Sequence, residues 1–139
     1  MSRRVNRSLT LRAPAKLNLT LEVLSRGADG YHPLRSVMVP VDLYDEISFA
    51  PSEDGFRFGC SDPGLAAGNL VERALTALGP LPKNDVHLHK RIPTQAGMGG
   101  GSSDAAAILL AAQQALLPAP AGIDYLGVAR SLGSDVPFF

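Results

Sequence analysis

The residues best placed to do chemistry are the glycines and serines of segment 93–104, PTQAGMGGGSSD. Four of the five residues from 97 to 101 are glycine, and glycine loses more backbone freedom on folding than any other residue. Such a segment suits a site where the backbone must approach a ligand closely. The alanine-rich apolar run that follows predicts a helix over residues 102–117, ended by Pro118.

A glycine loop that leads into a helix directs unpaired backbone N–H groups and the positive end of the helix dipole at one point. This arrangement favours a bound phosphate group. Two common phosphate loops are excluded by the spacing. No lysine follows the glycines, and Ser102 stands where the dinucleotide-binding motif needs its last glycine. The residues alone predict a phosphate or nucleotide binder of unassigned type, with a flexible turn before a buried helix as the alternative.

The composition favours one soluble domain without net charge. The 139 residues include thirteen basic and thirteen acidic side chains, and 45% are apolar. No net field would draw the chain to nucleic acid or to an anionic membrane, and the longest apolar run, residues 105–112, is too short to cross a bilayer. A single cysteine, Cys60, excludes an internal disulfide and suits the cytoplasm. The final residues, VPFF, lack a polar tail, so we expect a truncated chain.

Periodicity and turn signals predict the elements that position the glycine loop. Apolar and polar residues alternate strictly over residues 15–23, which indicates a half-buried strand. The same criteria predict further strands over 36–41, 46–50, 54–59 and 86–92, and helices over 69–78 and 124–132. This order predicts one α+β domain with helices on one face of a mixed sheet.

Polar residues on the last predicted strand are assigned to solvent. His87 and His89 share a face and two such histidines can bind a metal, but no third ligand lies close in sequence. Lys90 and Arg91 are expected to form a solvated strand end rather than a nucleic-acid patch. No metal site is predicted from these side chains.

Three segments together resemble, in this order, the GHMP kinase superfamily: residues 14–19 (PAKLNL), 29–32 (DGYH) and 93–103 (PTQAGMGGGSS). Residues 133–138 (GSDVPF) are similar to the catalytic segment of that superfamily. The first two segments are similar in particular to members that phosphorylate a cytidyl diphosphate-linked sugar alcohol in the non-mevalonate route to isoprenoid precursors. One small departure is Met98, where a leucine is usual.

The resemblance implies that residues 1–139 form the N-terminal, ATP-binding and catalytic domain of such a kinase. Its fold would be like that of domain 2 of ribosomal protein S5, and the C-terminal domain that such kinases carry is absent from this chain. The resemblance also implies ATP as co-substrate, Mg²⁺, and a small-molecule alcohol as substrate. It implies no nucleic-acid or membrane partner and leaves a homodimer open.

The resemblance assigns roles to individual residues. Asp135 matches the catalytic aspartate, which accepts the proton of the attacking hydroxyl. Lys16 matches the catalytic lysine and is expected within about 4 Å of Asp135. A serine hydroxyl of the glycine loop is implied to help hold Mg²⁺. The residues implied to bind ATP are Pro93, Thr94, Gln95, Ala96, Gly97, Met98, Gly99, Gly100, Gly101, Ser102, Ser103, Asn69 and Leu70.

Three further residues are implied to bind the alcohol substrate. Asn18 shares the strand face of Lys16 and would donate or accept a hydrogen bond. Tyr31 is implied to stack on the cytosine and His32 to hydrogen-bond to it. Without the resemblance, Tyr31 is interpreted as an ordinary core residue and His32 as a surface turn residue.

Two alternative functions are weighed against this one. A sister GHMP kinase acting on homoserine or mevalonate would leave Tyr31 and His32 without a cytosine to recognise. A non-catalytic, S5-like nucleic-acid-binding module is disfavoured by the zero net charge. Without the resemblance, Lys16 is interpreted as a solvated strand lysine and Asp135 as a turn or cap residue.

Overall fold

A four-stranded mixed sheet and three α-helices make up residues 4–139, the part of the chain that the computed structural model describes. The strands are β1 (Leu9–Val23), β2 (Leu34–Pro51), β3 (Arg57–Cys60) and β4 (Asn84–His89). The helices are α1 (Leu70–Ala77), α2 (Gly100–Gln113) and α3 (Tyr125–Leu132), and short 3-10 helices cover Pro63–Leu65 and Val136–Phe138. The predicted α+β class is confirmed.

The strands lie in the order β1-β2-β4-β3. The pairs β1–β2 and β2–β4 are antiparallel, and β3 runs parallel to β4. Helix α2 packs on β1 and against α1 and α3. The core between the sheet and the helices is built from large apolar side chains that are fully buried, among them Ile47, Phe49, Leu75, Leu88 and Ile108.

Strand β1 was correctly predicted as a strand, but it starts earlier, at Leu9, and its outer half is not half-buried. Ala15 is fully buried, whereas Leu17, Leu19, Leu21 and Val23 are 44–63% exposed. The physical reason is that only the inner half of β1 lies in the four-stranded sheet, while the outer half pairs with β2 alone as a two-stranded ribbon. We call residues 16–23 and 34–40 the outer ribbon.

A β-bulge also interrupts the alternation in the outer ribbon. Asn18 pairs with Met38 and Thr20 with Val37, so Leu19 is an extra residue on β1. An extra residue reverses the faces of the strand beyond it. Leu21, which pairs with Ser36, therefore lies on the face of Asn18, and the Ser36 hydroxyl donates to Asn18 Oδ1 at 3.0 Å.

The two strands predicted over 36–41 and 46–50 form one continuous strand, so the prediction of two separate strands is wrong. Pro14 pairs with Tyr44 but the next residue, Ala15, pairs with Val41. Asp42 and Leu43 are therefore two additional residues in β2 at this irregularity. Asp42 is accommodated in this bulge. Because the bulge adds an even number of residues, the side chains before and after it keep the same alternation between the two faces of β2.

Helix α2 starts and ends earlier than predicted. Gly97 and Gly99 adopt φ values of 71° and 69°, in the left-handed region that favours glycine. Gly100 and Gly101 already belong to the helix. After Gln113 the chain leaves the helix because Ala115 takes a φ of 59°, ahead of Pro118.

The other elements agree with the predictions to within a few residues. Asn69 and Asp124 cap α1 and α3 by accepting backbone N–H groups. The edge strand and β4 are shorter than predicted, and His87 and His89 are exposed on β4. No group of His, Cys, Asp and Glu in residues 4–139 is arranged to hold a metal ion. No helix among these residues is long and apolar enough to span a membrane.

Candidate active site

The glycine loop between β4 and α2 borders a cleft of about 470 Å³. Twelve of the thirteen residues predicted to bind ATP line this cleft; Ser103 does not. The opposite wall comes from the turn before α1. The complete lining is Gly64, Leu65, Ala67, Gly68, Asn69, Leu70, Lys90, Pro93, Thr94, Gln95, Ala96, Gly97, Met98, Gly99, Gly100, Gly101, Ser102 and Asp104.

The first turn of α2 presents its backbone N–H groups at this cleft. Gly99 is the N-cap residue and no side chain caps the helix. The N–H groups of an uncapped first turn are free to bind an anion, and the helix dipole favours one there. This geometry suits a phosphate group, and phosphate binding by the loop stays a prediction.

The glycines of the loop do different things. A side-chain carbon on Gly100 would lie 2.9 Å from Lys90 Nζ and 3.1 Å from Ile92 Cγ2, so this glycine is needed for packing beneath the loop. A carbon on Gly101 would lie 3.4 Å from Leu70 Cδ1, an ordinary contact distance. Gly101 and Leu70 both line the cleft, so a side chain at Gly101 would project into the space offered to a ligand.

Lys16 is held against the glycine loop. Its backbone N–H donates to Met98 O at 2.9 Å. A carbon on Gly99 would lie 3.1 Å from both Lys16 Cγ and Phe139 Cζ. Lys16 is only 4% exposed, so its interpretation as a solvated strand lysine is wrong. A buried ammonium is costly unless it meets a negative charge, which marks Lys16 as a candidate ligand for an anion.

Asp135 belongs to the C-terminal segment that passes the first turn of α2. It follows Gly133, where a side-chain carbon would lie 3.8 Å from Ser102 Oγ. Asp135 precedes the 3-10 helix Val136–Phe138, but its side chain makes no capping hydrogen bond. Asp135 is therefore a turn residue at the N-cap position of this short helix, without a side-chain capping bond. Its carboxylate has no hydrogen-bond or ion-pair partner among residues 4–139.

The ion pair expected between Lys16 and Asp135 is not formed. Within the described residues Lys16 has no carboxylate partner. The physical reason is that the stem of Lys16 runs along Gly99 beside the ring of Phe139, whereas Asp135 belongs to the segment next to Ser102. The two residues lie near the same junction without forming an ion pair.

The two serines of the loop differ in access to the cleft. Ser102 lines it. Ser103 is 1% exposed, its N–H donates to Gly99 O at 2.8 Å, and its hydroxyl has no partner among the described residues. Ser102 is therefore the serine whose hydroxyl can meet a ligand.

Asn69 and Leu70 shape the wall opposite the loop. Asn69 Oδ1 accepts the N–H of Val71 at 2.9 Å, and its Nδ2 donates to Leu65 O at 2.9 Å. These bonds cap α1 and hold the preceding turn. Asn69 thus contributes to the cleft mainly by fixing its shape.

The residues predicted to bind substrate lie on the outer ribbon and its connecting loop. Tyr31 is 76% exposed, so its interpretation as an ordinary core residue is wrong. Its N–H donates to Asp29 Oδ1 at 3.1 Å, and His32 Nδ1 lies 3.1 Å from Leu24 O. Asn18, Tyr31 and His32 do not line the cleft of the glycine loop. Lys16 and Asp135 do not line this cleft either, but Lys16 contacts Gly99 and Gly133 lies near Ser102 at the start of α2.

A buried cluster of charged residues lies beside the cleft and was not predicted from the sequence. The side chain of Lys90, expected in solvent, is only 9% exposed. Its Nζ donates to Asp45 Oδ2 at 2.5 Å and to Asp104 Oδ2 at 3.1 Å. Both aspartates are buried. The one local signal was Asp104 itself, a charged residue that opens an otherwise apolar run.

Burial and the charges of the neighbouring side chains determine which members of this cluster are ionised. Burial raises the pKa of Asp104 to about 8, and the nearby Asp45 adds to the rise while the Lys90 ammonium opposes it. Burial also opposes ionisation of Asp45, but Lys90, Asp104 and the N–H groups of Ile92 and Arg91 together lower its pKa. Burial disfavours the charged form of Lys90, yet the two carboxylates raise its pKa. Lys90 and Asp45 are thus the permanent charges, and Asp104 is the group that takes up a proton.

Comparison with known proteins assigns this chain to a family. The model of the GHMP kinases N terminal domain matches residues 67–139, which include α1, the glycine loop and Asp135. Two curated relatives are 46% identical, one from Geobacter metallireducens and one from Deinococcus radiodurans, and both are named 4-diphosphocytidyl-2-C-methyl-D-erythritol kinase. The alignments cover 96% and 91% of this chain and 50% and 44% of the relatives.

Solved structures agree in fold. A crystal structure of 4-(cytidine 5'-diphospho)-2C-methyl-D-erythritol kinase is 44% identical with a TM-score of 0.76, and the match covers 94% of this chain and 48% of that one. A homoserine kinase from Cytophaga hutchinsonii is 22% identical with a TM-score of 0.57, covers 90% and 40%, and shares the fold. The chain spans about half the length of the curated relatives it matches. By this match and by the architecture of its cleft, the chain belongs to the GHMP kinase family and has the fold of its N-terminal domain.

Proposed function

We propose that this chain is the N-terminal domain of an enzyme that transfers the γ-phosphoryl group of ATP to the 2-hydroxyl of 4-diphosphocytidyl-2-C-methyl-D-erythritol. This reaction belongs to the non-mevalonate synthesis of isoprenoid precursors. The observation that carries the proposal is that relatives 42–46% identical over nearly the whole chain bear this name, while the glycine loop borders a cleft. ATP as co-substrate and a single cysteine suit an enzyme of the cytoplasm.

Phosphoryl transfer depends mainly on positioning and charge stabilisation. In this proposal the uncapped first turn of α2 and the backbone of the glycine loop bind the phosphates of ATP. Lys16, buried and without a carboxylate partner in the described residues, neutralises negative charge on the transferred group. Its place beside Gly99 puts the ammonium at the edge of the phosphate cradle.

Asp135 is the proposed proton acceptor. A carboxylate that forms no cap and no ion pair within residues 4–139 is available to the substrate hydroxyl. The hydroxyl proton passes to Asp135 while the oxygen attacks the γ-phosphorus and ADP departs. Lys16 lies beside Gly99 and Asp135 belongs to the segment beside Ser102, so both residues are near the loop–helix junction where the phosphates are proposed to bind.

Magnesium fits this site as a partner of the nucleotide rather than as a resident ion. The described residues hold no cluster of three His, Cys, Asp or Glu ligands, and Mg²⁺ in kinases is held by one or two protein oxygens together with substrate phosphates. Ser102, which lines the cleft, is the proposed oxygen donor for it. When bound, the ion neutralises charge on the nucleotide phosphates.

The cytidyl group is assigned to the outer ribbon and to the loop that connects its two strands. Tyr31 presents an exposed ring on which a base can stack, and such stacking is commonly worth about 1–3 kcal/mol. His32 is the proposed hydrogen-bonding partner of the cytosine, and Asn18 lies on the face of the ribbon shared with Lys16. Mevalonate and homoserine have no base for Tyr31 to contact.

A coupled assay of ADP release on the full-length enzyme tests this function. The cytidyl substrate, mevalonate and homoserine are offered in parallel at equal concentrations with ATP and Mg²⁺. We expect ADP release above the rate without an alcohol only for the cytidyl substrate. Release with mevalonate or homoserine and none with the cytidyl compound would show that the substrate assignment is wrong.

A further inference from the structure

We propose that Lys90, Asp45 and Asp104, which we call the neck cluster, are positioning residues that close the base of the glycine loop and thereby set the affinity of the cleft for nucleotide. This inference rests on the proposed function, because it takes the cleft to be the ATP site. The cluster joins three elements, β2, the end of β4 and α2, at the point where the loop leaves the sheet and enters the helix.

Asp45 fixes the entry of the loop. Its Oδ1 accepts the backbone N–H groups of Arg91 at 2.7 Å and Ile92 at 2.9 Å. Those residues directly precede Pro93, the first residue of the loop. Because Asp45 is fully buried within β2, these bonds tie the entry of the loop to the rigid sheet.

Lys90 connects this entry to the exit of the loop. Its Nζ bonds to Asp45 Oδ2 and, 14 positions further along the chain, to Asp104 Oδ2. Asp104 lies one turn into α2. Ordering a loop of this length costs chain entropy. The ion pair across the base of the loop restricts the positions that the first turn of α2 can take.

The neck cluster also touches the phosphate cradle from below. A carbon on Gly100 would lie 2.9 Å from Lys90 Nζ, so the ammonium supports the first residue of α2. Lys90 and Asp104 themselves border the cleft. A displacement of Lys90 would therefore move the N–H groups that face the ligand.

The arrangement points to positioning rather than to stability alone. A buried ion pair is often no more stabilising than apolar residues of similar volume, although removing one partner is strongly destabilising. Asp104 Oδ1 is buried without a hydrogen-bond partner in the described residues, which is a cost that a purely stabilising cluster would avoid. We therefore look for the benefit in the geometry of the loop.

The test uses the full-length enzyme and three variants. Lys90→Met keeps the length of the side chain and removes the ammonium. Lys90→Met combined with Asp45→Asn removes both permanent charges of the cluster and keeps the oxygen that accepts the N–H groups of Arg91 and Ile92, so that the fold is retained even if the single variant is unstable. Arg57→Met is the matched control, because it breaks an exposed ion pair with Asp85 on the same sheet away from the loop.

The readouts are calorimetric affinity for a non-hydrolysable ATP analogue, affinity for the cytidyl substrate, thermal unfolding, and hydrogen exchange of residues 93–103. We expect the double variant to unfold near the wild-type temperature, to bind the analogue about tenfold or more weakly, and to exchange its loop amides faster. Cytidyl affinity and the Arg57→Met control should remain close to wild type. The same weakening is expected for Lys90→Met if it folds.

Two results would overturn the inference. Wild-type nucleotide affinity in the double variant would show that the cluster only stabilises the fold. Weak nucleotide binding with unchanged loop exchange would show that Lys90 contacts the nucleotide directly. A failure of the proposed function is separate from both, because it would appear as absence of analogue binding in the wild-type enzyme itself.

Discussion

Lys16 donates its backbone N–H to the carbonyl oxygen of Met98 at 2.9 Å, and this bond joins the first strand to the glycine loop across more than half of the chain. It places the Lys16 side chain beside Gly99, the N-cap residue of α2. Asp135 belongs to the segment that passes Ser102 in the first turn of the same helix. We expect Lys16 and Asp135 to act as one catalytic unit.

Lys16→Met and Asp135→Asn should each lower kcat by a factor on the order of 10²–10⁴, with ATP affinity largely retained. Methionine keeps the stem that lies along Gly99, and asparagine keeps the shape of the aspartate but cannot accept the proton. The double variant should be little slower than either single variant, because residues that act as a unit are not additive. Steady-state kinetics check this, and losses that multiply in the double variant would show independent roles.

Gly101→Ala should weaken ATP binding without destabilising the fold. The added methyl group contacts Leu70 at an ordinary distance, and alanine favours the helix over glycine by up to about 1 kcal/mol. Gly100→Ala is the comparison, because its methyl group would press on Lys90 and Ile92 and should lower the unfolding temperature. Calorimetric titration and thermal unfolding of both variants separate the effects. Unchanged ATP affinity in Gly101→Ala would mean that the nucleotide phosphates lie elsewhere.

Tyr31→Ala should weaken binding of the cytidyl substrate by about 1–3 kcal/mol, the range for loss of one stacked base. Because the ring is exposed, neither the unfolding temperature nor the affinity for ATP should change appreciably. Isothermal titration with each ligand checks this. Equal weakening of both ligands would indicate a folding defect, and no weakening of either would contradict the cytosine assignment.

The stability of the enzyme should depend on the protonation of Asp104. Its folded-state pKa is about 8, above the ordinary value of 3.8, so the folded state binds this proton more tightly than the unfolded state does. The stability that comes from the bound proton is present below about pH 4 and is lost as the pH rises to about 8.

Urea unfolding between about pH 5 and pH 9 measures this dependence. Asp104→Asn should flatten the decline in unfolding free energy over this range. Asp85→Asn is the control, because Arg57 holds the pKa of exposed Asp85 below its ordinary range, and its contribution changes only at lower pH. An unchanged slope in Asp104→Asn would assign the decline to another group.

The sequence pattern predicted the helices and strands of this fold well, because the preference of a segment for helix or strand depends largely on its own residues. The spacing of apolar residues before Gly79 located α1, and its cap Asn69 lay where the pattern began. The two irregularities of the β1–β2 pair were missed, because they depend on the register between strands that are distant in sequence. The exposed outer half of β1 was missed for the same reason, since alternation cannot tell how far a neighbouring layer extends.

The part of the candidate site that comes from one contiguous segment could be predicted from the sequence. The glycine loop predicted a phosphate cradle, and all of its residues except Ser103 line the cleft. The neck cluster was not predictable, because Asp45, Lys90 and Asp104 come from three separate segments and each alone reads as an ordinary polar residue. The contact expected between Lys16 and Asp135 is a tertiary relationship too, and in residues 4–139 the two side chains stop short of an ion pair.

Phosphorus NMR of the full-length enzyme with ATP, Mg²⁺ and 4-diphosphocytidyl-2-C-methyl-D-erythritol is the sharpest test of the proposed reaction. We expect ADP and one new phosphomonoester to accumulate in equal amounts, with the new group on the 2-hydroxyl of the erythritol unit, and Asp135→Asn to suppress both signals together. Release of inorganic phosphate without a phosphomonoester, or a phosphomonoester on a different hydroxyl, would contradict it.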